Sequence, residues 1–163
     1  MVTQERHDQF RRDLAASKPY VDCVVDWLKR KGHTNIEVPD NPVAKTFAER
    51  MPDDGDIILH TDTGRRFRLE VKSRNLTYTC KEEFPFSTAI VCQVESFKRA
   101  CNKDDMPFAY FCVEKKKRSM FICKVAETRH LWTEEQKMDG RDGVWKPFYM
   151  VPIEAVAFHS MHD

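Results

Sequence analysis

Apolar residues recur along this chain with two spacings, and the change from one to the other marks its elements. Over residues 8–31, Phe10, Leu14, Val21, Val24, Val25 and Leu28 recur at helical spacing with charged residues between them. Lys29, Arg30 and Lys31 form a basic last turn before Gly32, as suits a helix C-terminus. Pro19 predicts a break, leaving a short leading helix and a main one from Tyr20. Ile36 and Val38 suggest a short extended piece. A second short helix is expected over 43–51, with Asn41 as N-cap and Pro42 at its first position.

The spacing then shifts to alternation. Ile57, Ile58 and Leu59 lead through Thr61-Asp62-Thr63-Gly64 into residues 65–74, which reads as a β-hairpin. In its second strand Phe67, Leu69 and Val71 take one face, and Arg66, Arg68, Glu70, Lys72 and Arg74 take the other. The first face is core, and the second is expected to be a charged surface.

Beyond a polar connection, Ala89-Ile90-Val91-Cys92 reads as a buried strand, and residues 94–101 as an amphipathic helix carrying Val94, Phe97 and Cys101 on one side. Residues 108–113 are dense in aromatic and aliphatic side chains and predict a central strand. It is joined to a partner over 120–125 by a turn containing Lys115, Lys116, Lys117 and Arg118. A helix between strands implies a crossover, hence a mixed sheet in an α/β fold. Residues 128–136 suggest a short helix. Residues 145–158 alternate loosely, with Phe148, Met150, Val156 and Phe158 covering one edge of the core.

Length adds that 163 residues most simply make one domain, with no repeat or linker to divide it. The apolar fraction of 41% is that of an ordinary globular chain, and the charged fraction of 33% is high. A net charge of +1 supplies no bulk attraction for a polyanion, so any nucleic-acid surface must arise from local clustering. The six cysteines lack any C-x-x-C pair, which favours reduced core thiols in a cytoplasmic protein over a zinc site. The polar N-terminus does not resemble a signal peptide, and no apolar run reaches membrane-spanning length.

The candidate chemistry lies in the hairpin. Antiparallel pairing about the turn brings Asp56 near the level of Glu70 and Lys72. Two carboxylates and an ammonium there suit a hard divalent cation, Mg²⁺ or Mn²⁺, with the Val71 carbonyl as a third oxygen ligand. Phosphodiester hydrolysis needs phosphate charge neutralised, a water activated and a leaving oxygen stabilised. Lys72 is placed to orient or deprotonate the water, or to hold a phosphoryl oxygen. Glu49 either points into the same site or lies on a solvated helix face. Lys115, Lys116, Lys117 and Arg118 form either a solvated hairpin tip or a phosphate-contacting loop, to which Arg66, Arg68 and Arg74 add cations.

The string Gly55-Asp56-Ile57, thirteen residues between Asp56 and Glu70, and then Glu70-Val71-Lys72 resembles the PD-(D/E)XK nuclease superfamily. It is most similar to small phage or mobile-element nucleases, with an aromatic-Pro-aromatic step like Phe84-Pro85-Phe86. The resemblance covers roughly residues 20–126 and leaves 127–163 as an extension. It implies a restriction-endonuclease-like αβββαβ core with a mixed central sheet flanked by helices. By the same resemblance Asp56 and Glu70 are metal ligands, Lys72 is the catalytic lysine, Glu49 loosely matches a further helix acid, and Gln93 a polar residue at the crossover helix. The implied function is a divalent-metal-dependent nuclease acting on DNA in a bacterial or phage-infected cytoplasm, paired as a homodimer where two strands are cut. Two alternatives stand beside it. One is a catalytically silent nuclease-like domain binding nucleic acid or a host protein, and the other a metal-free subunit whose charges pair on the sheet.

Overall fold

The computed structural model describes residues 4–39, 55–140 and 143–163. The helix expected over 43–51, with Asn41, Pro42 and Glu49, lies outside the described residues, as do Asp53 and Asp54. The fold is α/β with a mixed sheet. Helix α1 (Gln4–Arg30) is followed by the short strand β1 (Ile36–Glu37) and the expected hairpin, β2 (Ile57–His60) and β3 (Arg66–Ser73). After β4 (Thr88–Gln93) and α2 (Val94–Asn102) comes a second hairpin, β5 (Ala109–Val113) and β6 (Ser119–Lys124). The chain ends with α3 (Val125–Thr128), β7 (Thr133–Met138), β8 (Trp145–Pro152) and β9 (Ala157–Ser160).

These strands make two sheets, a six-stranded one in the order β1-β2-β3-β5-β6-β9 and a three-stranded one in the order β4-β8-β7. Strands β3 and β5 run parallel, Leu69 opposite Ala109 through Ser73 opposite Val113, and the remaining pairings are antiparallel. Every residue of β5 is buried, as its uninterrupted apolar sequence requires of a strand covered on both faces.

Each face of the larger sheet has its own core. On one side Val21, Val24, Trp27 and Leu28 of α1 pack on Leu69, Val71, Phe111, Val113 and Met120. On the other, Tyr110, Cys112, Phe121 and Cys123 meet Tyr78, Val91, Phe97 and Val151 from the smaller sheet and its neighbours. All six cysteines are unpaired, and Cys92, Cys112 and Cys123 are buried in this second core.

Four expectations are corrected. Helix α1 runs unbroken through Pro19. The proline sits on the exposed side, so the carbonyl left without a backbone donor faces water. Strand β4 joins β8 in the smaller sheet instead of extending the hairpin sheet, so α2 leads back from one sheet to the other. The helix expected over 128–136 is absent: α3 ends at Thr128, a 3₁₀ turn follows over Arg129–Leu131, and Thr133–Met138 pairs with β8 along its length. Finally, the charged face of β3 is only partly a surface: Arg68 and Glu70 are buried, while Arg66 and Lys72 stay partly exposed.

Candidate functional site

The hairpin is longer on one side than the other. Ile57 opposite Leu69 closes the β2–β3 ladder, while β3 continues to Ser73 beside β5. Where β2 ends, the Asp56 side chain takes its place: the Asp56 N–H donates to the Leu69 carbonyl at 3.2 Å, and Asp56 Oδ2 accepts the Val71 N–H at 2.8 Å. That bond fixes the carboxylate at the level of Glu70 and Lys72.

Glu70 is held from the other side. Its Oε1 accepts Arg68 Nε at 2.7 Å and Arg68 Nη2 at 2.6 Å, and Arg68 Nη1 reaches Asp105 Oδ2 at 3.0 Å. Asp105 Oδ1 also receives Arg66 Nη1 at 2.6 Å. Burial pushes the Asp105 carboxyl up, but the two guanidiniums outweigh it and hold the group below its ordinary range. Gly55 makes room for this arrangement. Its φ is +87°, and a Cβ there would lie 2.7 Å from Arg68 Cγ.

Lys72 Nζ stands 3.6 Å from Glu70 Oε2, with its side chain 36% exposed. Desolvation lowers the lysine's pKa, but Glu70 and then Asp56 outweigh it, and the net shift is upward. The two carboxylates thus favour the ammonium form of Lys72, suited to hold an anionic oxygen. Opposite Glu70 on β5 lies Tyr110, whose hydroxyl is pushed up by burial and then by Cys92; burial likewise raises the Cys92 thiol to about 11.

The other residues expected at the site are scattered. Arg68 is 5% exposed and committed to carboxylates, so it leaves the set of phosphate contacts. Arg74 turns inward, donating to the Val91 carbonyl at 3.2 Å and to the Ile90 carbonyl, which ties β3 to the bulged edge of β4. Arg66 is half-exposed but paired with Asp105. Lys115 and Lys116 are exposed at the β5–β6 turn, Lys117 covers the Tyr20 ring at 4.9 Å, and Arg118 is bound through Nε to the buried Glu114 at 3.3 Å. Because β3 and β5 are parallel, this turn lies at the same end of the sheet as Lys72. Gln93 donates to Asp139 Oδ2 at 2.8 Å, an acid shared with Lys146, so it serves the β7–β8 connection. Glu49 lies outside the described residues.

Asp105 and the inward turn of Arg68 were not foreseen. Arg68 and Asp105 lie 37 residues apart, and no local pattern joins them. Among the described residues no group of three or more His, Cys, Asp or Glu side chains is arranged to hold a metal. No helix among them is long and apolar enough to cross a membrane. No family model, curated protein or solved structure matches the chain.

Proposed function

We propose that the protein is a divalent-metal-dependent nuclease that hydrolyses phosphodiester bonds in DNA. The observation that carries this reading is the convergence of Asp56, Glu70 and Lys72 where β3 outruns β2, with both carboxylates acting on one partly exposed ammonium. The order α1, β2, β3, β4, α2, β5 follows the element order of the PD-(D/E)XK resemblance, although β4 belongs to the other sheet.

The residues fit a hard cation by their donor chemistry. Glu70 Oε1 is taken by Arg68, and among the described residues Oε2 lies 3.6 Å from Lys72 Nζ, longer than a hydrogen bond. Asp56, Glu70 Oε2 and the Val71 carbonyl would hold Mg²⁺ or Mn²⁺, which when bound neutralises phosphate charge and makes a water nucleophilic near neutral pH. The chain's own groups orient the reaction. Lys72 holds a phosphoryl oxygen, Arg68 fixes Glu70 against rotation, and the Val71 N–H fixes Asp56. Water attacks phosphorus, one P–O bond breaks, and the water's proton ends on the departing oxygen.

One observation favours a second reading, a domain that binds without turnover: both carboxylates already have protein partners, Arg68 for Glu70 and the Val71 N–H for Asp56. Cleavage assays on linear, nicked, branched and single-stranded DNA with Mg²⁺ or Mn²⁺ separate the two. The nuclease reading expects cleavage that Glu70→Ala and Lys72→Ala each reduce by at least about a hundredfold, the scale of losing one charge-stabilising group. Wild-type protein that cuts none of these substrates with either metal, and whose calorimetric titration with Mn²⁺ shows no Asp56- and Glu70-dependent site, supports the silent domain.

A further inference from the structure

The smaller sheet ends in an open strand. Among the described residues β7 bonds only to β8, through six consecutive pairs without a bulge, and all its side chains except Lys137 are exposed. The other sheet edges are short or occupied. Strand β1 has two residues, the Ser160 carbonyl at the end of β9 accepts Trp27 Nε1 at 3.1 Å, and the Ile90 and Val91 carbonyls of β4 accept Arg74. Strand β7 is straight, free of proline and left as a template for a further strand.

The ladder shows which backbone groups face outward. The Asp139 N–H donates to the Val144 carbonyl at 2.9 Å, so these two residues form a hydrogen-bonded pair of the β7–β8 ladder. Such pairs alternate along an antiparallel ladder. Glu135 and Lys137 therefore bond to β8, while Glu134, Gln136 and Met138 turn their N–H and C=O groups to the open side. Pro147, with no N–H to give, accordingly lies opposite Gln136.

The geometry points to a second copy of this chain as the added strand, its β7 laid antiparallel on the first with Gln136 on a two-fold axis. Charge selects both the partner and the register. An axis normal to the sheet requires one residue to face its own copy. With Gln136 there, the two outward-facing Gln136 backbones bond reciprocally, and Glu135 of each copy stands opposite Lys137 of the other. Those flanking pairs are of the non-hydrogen-bonded kind, with Cα atoms about 4.5 Å apart and side chains at their closest. Lys137 already meets Glu135 of its own strand at 3.2 Å, so four charges of alternating sign surround the axis. Centring on Glu134, Glu135 or Lys137 sets a charge against itself. Centring on Thr133 or Met138 leaves most of the strand unpaired. A lysine that only guards an edge repels its own copy, whereas the acid two residues away makes this edge self-complementary. The product is one continuous sheet, β4-β8-β7 of one copy followed by β7-β8-β4 of the other. This interface goes beyond the nuclease reading and does not depend on it.

The test is sedimentation velocity of the whole chain over a concentration series, with amide hydrogen exchange followed by NMR on the same samples. The expected dimer is weak, with a dissociation constant on the order of 100 μM, because so short a paired strand lies at the small end of interface sizes. Dimerisation should slow exchange at Glu134, Gln136 and Met138, whose N–H groups face the second copy, and leave Glu135 and Lys137 unchanged. Lys137→Glu should weaken association at least about tenfold. Glu135→Lys/Lys137→Glu exchanges the charges, keeps their complementarity and should restore it. Equal melting temperatures show that the variants remain folded, and the exchange pattern of the wild type needs no variant. A chain that stays monomeric up to roughly 1 mM overturns the inference and leaves the edge to another protein's strand or to solvent. So does a dimer that Lys137→Glu leaves intact, that the exchanged charges fail to restore, or that protects none of the three amides.

Discussion

Arg68 is a charged side chain in a buried environment. It is long, cationic and 5% exposed, and it crosses from Glu70 to Asp105 beneath a glycine that offers no Cβ to obstruct it. A buried pair of this kind adds little net stability compared with apolar residues of the same volume, yet removing one partner strands the other charge out of water. Arg68→Leu is therefore expected to cost about 3–5 kcal/mol in denaturant unfolding, and Arg68→Leu/Glu70→Leu to recover most of that loss. Arg66 makes the same type of contact to Asp105 from a half-exposed position, so Arg66→Ala should cost under about 1 kcal/mol. Equal losses for Arg66 and Arg68 would show that burial does not set the difference.

Among the elements, α1 carries the clearest conflict between propensity and position. Pro19 stands within Gln4–Arg30, and beyond it Val21, Val24, Trp27 and Leu28 bury their side chains. Packing of that apolar stripe compensates for the hydrogen bond the proline removes. Pro19→Ala should raise the melting temperature, by a free energy of at most about 3 kcal/mol, less the entropy that proline removes from the unfolded chain. An unchanged or lowered melting temperature would mean that proline's restriction of the unfolded chain matches or exceeds the helix hydrogen bond it removes.

The hairpin β2–β3 was legible because alternation, a Gly64 turn and β-branched residues all agree, and β5 because its run is wholly apolar. Burial of the charged face was not legible, since alternation assigns a side chain to a face but does not say what covers that face. Strand β4 has a clear strand pattern, yet sheet membership is decided by β8, some sixty residues later. Strand β7 misled for a different reason: Thr133–Met138 is polar on both faces, and its pairing with β8 supplies what its own pattern lacks. At the site, Asp56, Glu70 and Lys72 were readable from spacing, whereas their partners Arg68 and Asp105 meet only through the tertiary fold.

Across the whole molecule, carboxylates tie separate elements together and make its stability depend on acidity. Asp105 links the loop after α2 to β3, and Glu114, fully buried, closes the β5–β6 turn by accepting the Arg118 N–H at 2.8 Å. Burial raises both carboxyls, but the arginines at Asp105, and the Arg118 and Lys116 N–H groups at Glu114, outweigh it, so both are depressed from ordinary values of 3.8 and 4.5. A depressed folded pKa gives stability that is fully present above the unfolded value and is lost as pH falls through the folded one. Lys72 acts at the opposite end of the scale. Its raised pKa gives stability complete below its ordinary 10.5 and lost only as pH rises through the higher folded value. Unfolding free energy should therefore be insensitive to these three groups between about pH 5 and 10 and fall steeply below about pH 4.5. Asp105→Asn and Glu114→Gln should each lower stability at neutral pH and flatten the acid limb. A variant as steep as the wild type below pH 4.5 would show that its carboxylate does not contribute to the acid transition.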